Sequence, residues 1–254
     1  MIIALDVGNT NIVAGIFDGK KFIDHMRLAT GNSRTSDEYG MFFAHLLDKT
    51  GTTKGDIDGV IISSVVPGVV FSLKHAVEKY IDVTPLIVNC EMDTGIMWKI
   101  DNPHELGSDA ISNAVAASNK YKGNIIVVDF GTATTFFALT EDKAFLGGAI
   151  AAGIRVALAA LSDSAAKLPW IHLDAPEKTI NTGTVACMQA GSVYGYAGLV
   201  DGIVKRMKKE LGGRAKVVAT GGLSSVVTPY TDSIDLVDKG LTLDGLRILY
   251  ERNA

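Results

Sequence analysis

The chain is poor in cysteine: Cys90 and Cys187 are the only two in 254 residues. Each stands among apolar neighbours, as in Leu86-Ile87-Val88-Asn89-Cys90, and their spacing fits no Cys-x-x-Cys metal site. Without a secretory signal, such a pair reads as reduced structural thiols, not as a bridge. No apolar run is long enough to span a bilayer. The start, Met1-Ile2-Ile3-Ala4-Leu5-Asp6, carries neither a basic region nor a cleavage site. A cytoplasmic chain that keeps off membranes is expected. Positive charge is not in surplus either, since 24 Lys and Arg face 28 Asp and Glu, a formal net charge of −4. A nucleic-acid surface wants clustered cations, so the charge balance argues against that partner. The run Lys205-Arg206-Met207-Lys208-Lys209 falls at helical spacing between Ile203 and Leu211 and reads as a solvated helix face. The five histidines show no ligand spacing, Trp98 and Trp170 read as packing or interface residues, and no nucleophile stands beside a partnered base.

What is present is a large apolar fraction, 47%, enough for a full core, and an internal echo. Ile2-Ile3-Ala4-Leu5-Asp6-Val7-Gly8-Asn9-Thr10 recurs in form as Ile125-Ile126-Val127-Val128-Asp129-Phe130-Gly131-Thr132-Ala133-Thr134. A second apolar stretch follows each copy, Ile12 to Phe17 and Phe136 to Leu139. The pattern predicts two hairpins: buried strand, polar turn with glycine, returning strand. Helical spacing marks Asp37 to Leu47, Val69 to Tyr80, Ser108 to Ser118, Ile154 to Ala166, Val185 to Leu211 and Leu243 to Tyr250. Further strands are predicted at Gly59 to Ser64, Pro85 to Val88, near Phe145 and at Lys216 to Ala219. Strands followed by helices mean α/β layering. The polar stretch Asn119 to Gly123 suggests two domains of similar topology, 1–118 and 119–254.

Both echoed turns suit a polyanion. Gly8 permits a backbone turn with N–H groups pointing inward, and Asn9, Thr10 and Asn11 add side-chain donors. Asp6 ends a buried strand, where it can hold a divalent ion through water. Taken singly, the segment reads first as an ordinary hairpin turn. Asp129 to Thr135 repeats the arrangement, and Thr220-Gly221-Gly222 ends a third strand at a double glycine that suits a nucleotide base or ribose, or else a helix-entry turn. Asn102 to Ala110 leads into a small-residue helix, where Ser108 or Asp109 is an N-cap candidate.

With these residues in order, the chain resembles the acetate and sugar kinases of the actin-like superfamily, and within it the type III pantothenate kinases. Asp6-Val7-Gly8-Asn9-Thr10-Asn11 and Asp129-Phe130-Gly131-Thr132-Ala133-Thr134 resemble the family's two phosphate motifs. Arg34-Thr35 with Asp37-Glu38, Ser63-Ser64-Val65-Val66-Pro67, Gly147-Gly148-Ala149-Ile150 and Leu168-Pro169 follow in family order. The resemblance implies two ribonuclease H-like (actin-like ATPase) domains with a cleft between them, and ATP-dependent phosphorylation of pantothenate to 4′-phosphopantothenate. By the same resemblance, Asp6, Val7, Gly8, Asn9, Thr10, Asn11, Ile12, Val13 and Thr132 contact ATP, which brings Mg²⁺. Asp129 helps bind a monovalent cation, K⁺ or NH₄⁺. Gly107, Ser108, Asp109, Ala110 and Thr184 face pantothenate, with Asp109 as general base, although Thr184 also suits the N-cap of the following helix. A homodimer is implied too, and the small-residue surface from Gly191 to Gly202 suits a partner helix.

Four positions depart from the family pattern. Ala110 stands for an arginine, Ala152 for a proline, Gly183 for Asn or Asp, and Ile100 where tyrosine often lines the substrate pocket. All four bear on the acceptor. Three readings therefore stay open: pantothenate held another way, a different hydroxylated acid, or a regulatory relative that binds nucleotide without transfer.

Overall fold

The two echoed apolar runs become the central strands of two sheets. A computed structural model of the protein describes residues 1–31 and 33–254. In chain order its elements are strands β1 (Ile2–Val7), β2 (Asn11–Asp18) and β3 (Lys21–Ala29), helix α1 (Ser36–Thr50), β4 (Gly59–Ser64), α2 (Pro67–Tyr80), β5 (Leu86–Ile87), β6 (Met97–Trp98) and α3 (Ser108–Lys120). There follow β7 (Ile125–Phe130), β8 (Ala133–Leu139), β9 (Ala144–Ala152), α4 (Ile154–Ser164), α5 (Thr184–Glu210), β10 (Lys216–Thr220), the single turn α6 (Ser224–Val227), β11 (Leu236–Val237) and α7 (Leu241–Asn253).

The first sheet runs β3-β2-β1-β4-β5, the second β11-β10-β7-β8-β9-β6. Read outward from its central strand, each has the order third, second, first, fourth, fifth. In each, two antiparallel hairpin steps are followed by parallel crossovers. That is the ribonuclease H-like order, present twice, with β6 added to the edge of the second copy. Strands β1 and β7 also share one exposure pattern: every residue is buried but the fifth, Asp6 or Asp129, which is half-buried.

The chain divides into two compact units, one of Met1–Gly95, Asp101–Ala116 and Leu241–Ala254, the other of Ile96–Ile100 and Ala117–Gly240. They are not two contiguous stretches. Ile96–Ile100 supplies β6 to the second sheet, and α7 returns to the first unit.

In the first unit, Ile3, Leu5, Val7, Ile12 and Ile16 share a core with Tyr39, Phe43 and Leu46 of α1 and Leu73 and Val77 of α2. Full burial of each such side chain contributes about 1.5–3 kcal/mol. Thr35 and Glu38 form a capping box on α1: the Glu38 carboxylate accepts the Thr35 N–H at 2.8 Å, and Thr35 Oγ1 accepts the Glu38 N–H at 3.3 Å. Helix α7 covers the other sheet face, where Leu243 lies over Gly15 and Tyr250 over Gly59. In the second unit, Ile126, Val128, Phe130, Phe136, Val217 and Ala219 pack against Ala197, Val200 and Val204 of α5.

The cysteines form no disulfide; Cys90 is half-buried and Cys187 exposed, so Cys187 is not the packed thiol its apolar neighbours suggested. Trp98 packs edge-on against Phe145 at 5.4 Å between centroids, and Trp170 is exposed. Among the described residues no helix is long and apolar enough to cross a membrane.

Candidate active site

The candidate residues fall into two groups, one in each unit. In the first unit the β1–β2 register closes at Val7 and Ile12, leaving Gly8–Asn11 as a four-residue loop. The Gly8 N–H donates to Asn11 O at 2.9 Å. Thr30, just past β3, donates its hydroxyl to Gly8 O at 2.7 Å and its N–H to Thr10 O at 2.9 Å. The loop backbone is thus braced from behind while Asn9, Thr10 and Asn11 remain exposed. A braced loop with solvent-facing polar side chains is preorganised for an anion.

Asp6 is register partner to Ser63 on β4. Ser63, fully buried, donates its hydroxyl to Ser108 Oγ at 2.9 Å, and Ser112 Oγ donates to Ser108 O at 2.8 Å. The first bond pins the start of α3 to the strand end beside Asp6, and the second lies within the first turn of α3. Helix α3 begins at Ser108, so Ser108 and Asp109 are its first two residues and do not precede it as the N-cap reading required. Asp109 Oδ1 accepts the Ala110 N–H at 2.8 Å. A side chain at Gly107 would collide with this carboxylate, so Gly107 makes room for Asp109. Burial pushes the Asp109 carboxyl above its ordinary 3.8, against the opposing pull of the Ala110 N–H. No Lys, Arg or His forms an ion pair with it among the described residues.

In the second unit the β7–β8 register closes at Phe130 and Thr134, so Gly131–Ala133 is one residue shorter than its counterpart. Gly131 N–H donates to Ala133 O at 3.0 Å, and Gly153 N–H donates to Thr132 O at 3.0 Å. The second bond seats the start of α4 on the turn, and a Cβ at residue 153 would come within 2.6 Å of Gly131 O. Thr220 is register partner to Asp129. Gly221, at φ +88°, lies against Asp129 Oδ1 and the Phe130 backbone, where a Cβ would meet Phe130 N at 2.6 Å. The Asp129 turn and the double-glycine turn are therefore one packed surface.

Thr184 is the first residue of α5 and exposed, while Gly183 occupies the N-cap without a side-chain bond. The capping role suggested for Thr184 is therefore not the one it has. The residue that sequence reasoning left out of the site is Ser63. The signal was a hydroxyl inside the apolar strand Gly59-Val60-Ile61-Ile62-Ser63, which must find a partner when buried. Arg34, Thr35 and Glu38, quoted for family order, have a local explanation in the α1 cap, with Arg34 3.7 Å from Glu38.

A family model described as type III pantothenate kinase matches residues 2–206. The chain belongs to that family. The type III pantothenate kinase of Bacillus cytotoxicus is 48% identical over 254 residues, all of this chain and 97% of the relative. Among solved structures, a conserved candidate Baf family transcriptional activator from Campylobacter jejuni superposes with a TM-score of 0.61 at 20% identity, over 98% of this chain and 97% of that one. An inorganic polyphosphate/ATP-glucomannokinase from an Arthrobacter strain superposes at 0.51 with 14% identity, over 98% and 96%. At such identities the two structures speak for the fold alone, and the fold of this type III pantothenate kinase family member is the actin-like one.

Proposed function

We propose that this protein transfers the γ-phosphoryl group of ATP to the primary alcohol of pantothenate, giving 4′-phosphopantothenate, the first step of coenzyme A biosynthesis. Within the site, the observation that carries this reading is Asp109. It is a carboxylate without an ion-pair partner among the described residues, its pKa raised by burial, and the helix start that carries it is fixed through Ser108 and Ser63 beside Asp6 of β1. A carboxylate so placed can take the proton from an attacking hydroxyl. The remaining work of phosphoryl transfer is positioning and charge neutralisation. Residues 6–13 and Thr132 are assigned to ATP, and Gly107, Ser108, Asp109, Ala110 and Thr184 to pantothenate.

Among the described residues no group of three or more His, Cys, Asp or Glu side chains could hold a metal ion. Mg²⁺ would accompany ATP, with Asp6 the residue that would hold it through water and the ion supplying charge neutralisation. Asp129 is assigned the monovalent cation, K⁺ or NH₄⁺. Its Oδ1 lies against Gly221 and 3.8 Å from the Cβ position of Gly131. The ion would supply positive charge near the phosphates. The compartment assigned with this reading is the cytoplasm.

The deciding experiment supplies ATP, Mg²⁺, K⁺ and pantothenate and measures phosphopantothenate. No product at any enzyme concentration, with ATP still protecting the chain from unfolding, would replace the kinase by a nucleotide-binding relative. ADP release with another hydroxylated acid alone would reassign the acceptor. Ala110 is the feature behind both alternatives, because a methyl group cannot grip a carboxylate as a guanidinium fork does. Ala110→Arg is expected to lower KM for pantothenate by about 10- to 100-fold, the worth of one charged hydrogen-bonding partner. An unchanged KM would mean the carboxylate is held elsewhere.

The assembly is assigned as a homodimer. On α5 a Cβ at Gly191, Gly195 or Gly198 would meet nothing within 4 Å, an open face at helical spacing. Ile150, Trp170 and Ile180 of the same unit are 81%, 68% and 91% exposed. Sedimentation equilibrium is expected to read twice the 26.9 kDa chain mass; a monomer at micromolar concentration would refute the assignment.

A further inference from the structure

A cluster of four cations lies in the second unit, away from the Asp129 turn. Lys122, Lys208, Arg214 and Lys216 line one pocket of about 410 Å³, with Gly123, Asn124, Gly213 and Ala215 completing its wall. The four cations come from three separate segments: the approach to β7, the last turn of α5, and the loop into the start of β10. Lys208 was expected on a solvated helix face; the fold brings it together with the other three. No carboxylate lines the pocket. None of the four cations is in an ion pair among the described residues, although surface charges of opposite sign normally intersperse. Lys216 instead holds its ammonium 5.0 Å from the centroid of the Tyr121 ring.

The wall is fixed by hydrogen bonds. Asn124 Nδ2 donates to Leu211 O at 3.2 Å, Lys216 N–H to Asn124 O at 2.8 Å, and Gly213 N–H to Lys208 O at 2.7 Å. Like charges held together in a chain of net charge −4 repel one another unless an anion sits among them. Strands β7 and β10 run parallel from this pocket to Asp129 and Thr220, so the pocket and the nucleotide turns occupy opposite ends of the same two strands.

We propose that this pocket binds a multiply charged phosphate anion of the pyrophosphate class, at a site separate from that of ATP and whatever the acceptor proves to be. The test is calorimetric titration of the full chain with pyrophosphate while a non-hydrolysable ATP analogue saturates the nucleotide turns. A one-site isotherm is expected, weakened about tenfold or more in Arg214→Glu/Lys216→Glu, because charge-assisted bonds are lost. Turnover at saturating ATP without pyrophosphate should be unchanged in that variant. Lys122→Gln/Lys208→Gln, which removes charge without reversing it, guards against a folding artefact and should weaken binding in the same direction. No heat with wild-type protein, or equal affinity in both double variants, overturns the proposal. So does heat with a short single-stranded RNA but none with pyrophosphate, which would give the patch to nucleic acid.

Discussion

Asp109→Asn is expected to lower kcat by about 10²- to 10⁴-fold, the usual worth of a positioned general base, with ATP affinity retained. The substitution keeps an oxygen to accept the Ala110 N–H and leaves the braced Gly8–Asn11 loop untouched, so loss of binding is not built into it. The pH dependence follows from the direction of the shift. Only the ionised carboxylate accepts a proton, and its pKa is raised above 3.8 by burial. The acid limb of kcat/KM should therefore lie above that of an ordinary aspartate, and the Asn variant should lack it. Stability runs the opposite way. Between 3.8 and the raised value the folded chain binds more protons at this site than the unfolded chain, so rising pH costs stability there. Asp109→Asn should melt at or above the wild-type temperature at neutral pH, and the advantage should vanish as pH falls towards 3.8. Unchanged turnover would remove Asp109 from the base role, and a lower melting temperature at neutral pH would remove the burial argument.

Gly221→Ala carries the second large effect. Its φ of +88° strains any residue with a Cβ, and that Cβ would also strike Asp129 Oδ1 and come within 2.6 Å of Phe130 N. Backbone strain of about 1–3 kcal/mol and overpacking of about 1–3 kcal/mol together take a large share of a typical 5–15 kcal/mol of stability. The atoms that must move belong to the Asp129 turn, so ATP affinity should fall with stability. Gly222→Ala is the control: a Cβ there meets nothing within 4 Å, and a change within about 0.5 kcal/mol is expected. Thermal melts with and without ATP distinguish the two positions; an equal cost at both would refute the packing account.

The duplicated hairpin was legible because its signal is local. An apolar run, an aspartate, a glycine and polar residues recur in the same order, and β1 and β7 bury the same positions. Helices α1 to α5 and α7 were readable from apolar spacing to within a few residues at each end. Strand β3 was not, because as an edge strand it is exposed or half-buried throughout, and Lys21, Asp24, His25 and Arg27 dilute its alternation. The two-residue strands β6 and β11 carry too few side chains for any period to show, whereas β5 falls inside the predicted Pro85 to Val88. The discontinuous units were illegible for a different reason. An amphipathic helix announces that it has a buried face, but nothing in Leu241–Asn253 names the sheet it covers. In the site, the residue types of the turns were visible, whereas Ser63 acts through a partner 45 positions away, a distance that composition and spacing do not encode.

The late return of α7 also matters while the polypeptide is still on the ribosome. Its helix is translated only after the whole of Ala117–Gly240, on the order of ten seconds later at about 5–20 residues per second. Until then the sheet face around Gly15 and Gly59 lacks Leu243 and Tyr250. The N-terminal sheet thus emerges first and is finished last, which makes the nascent intermediate a natural client for chaperones that shield apolar surface.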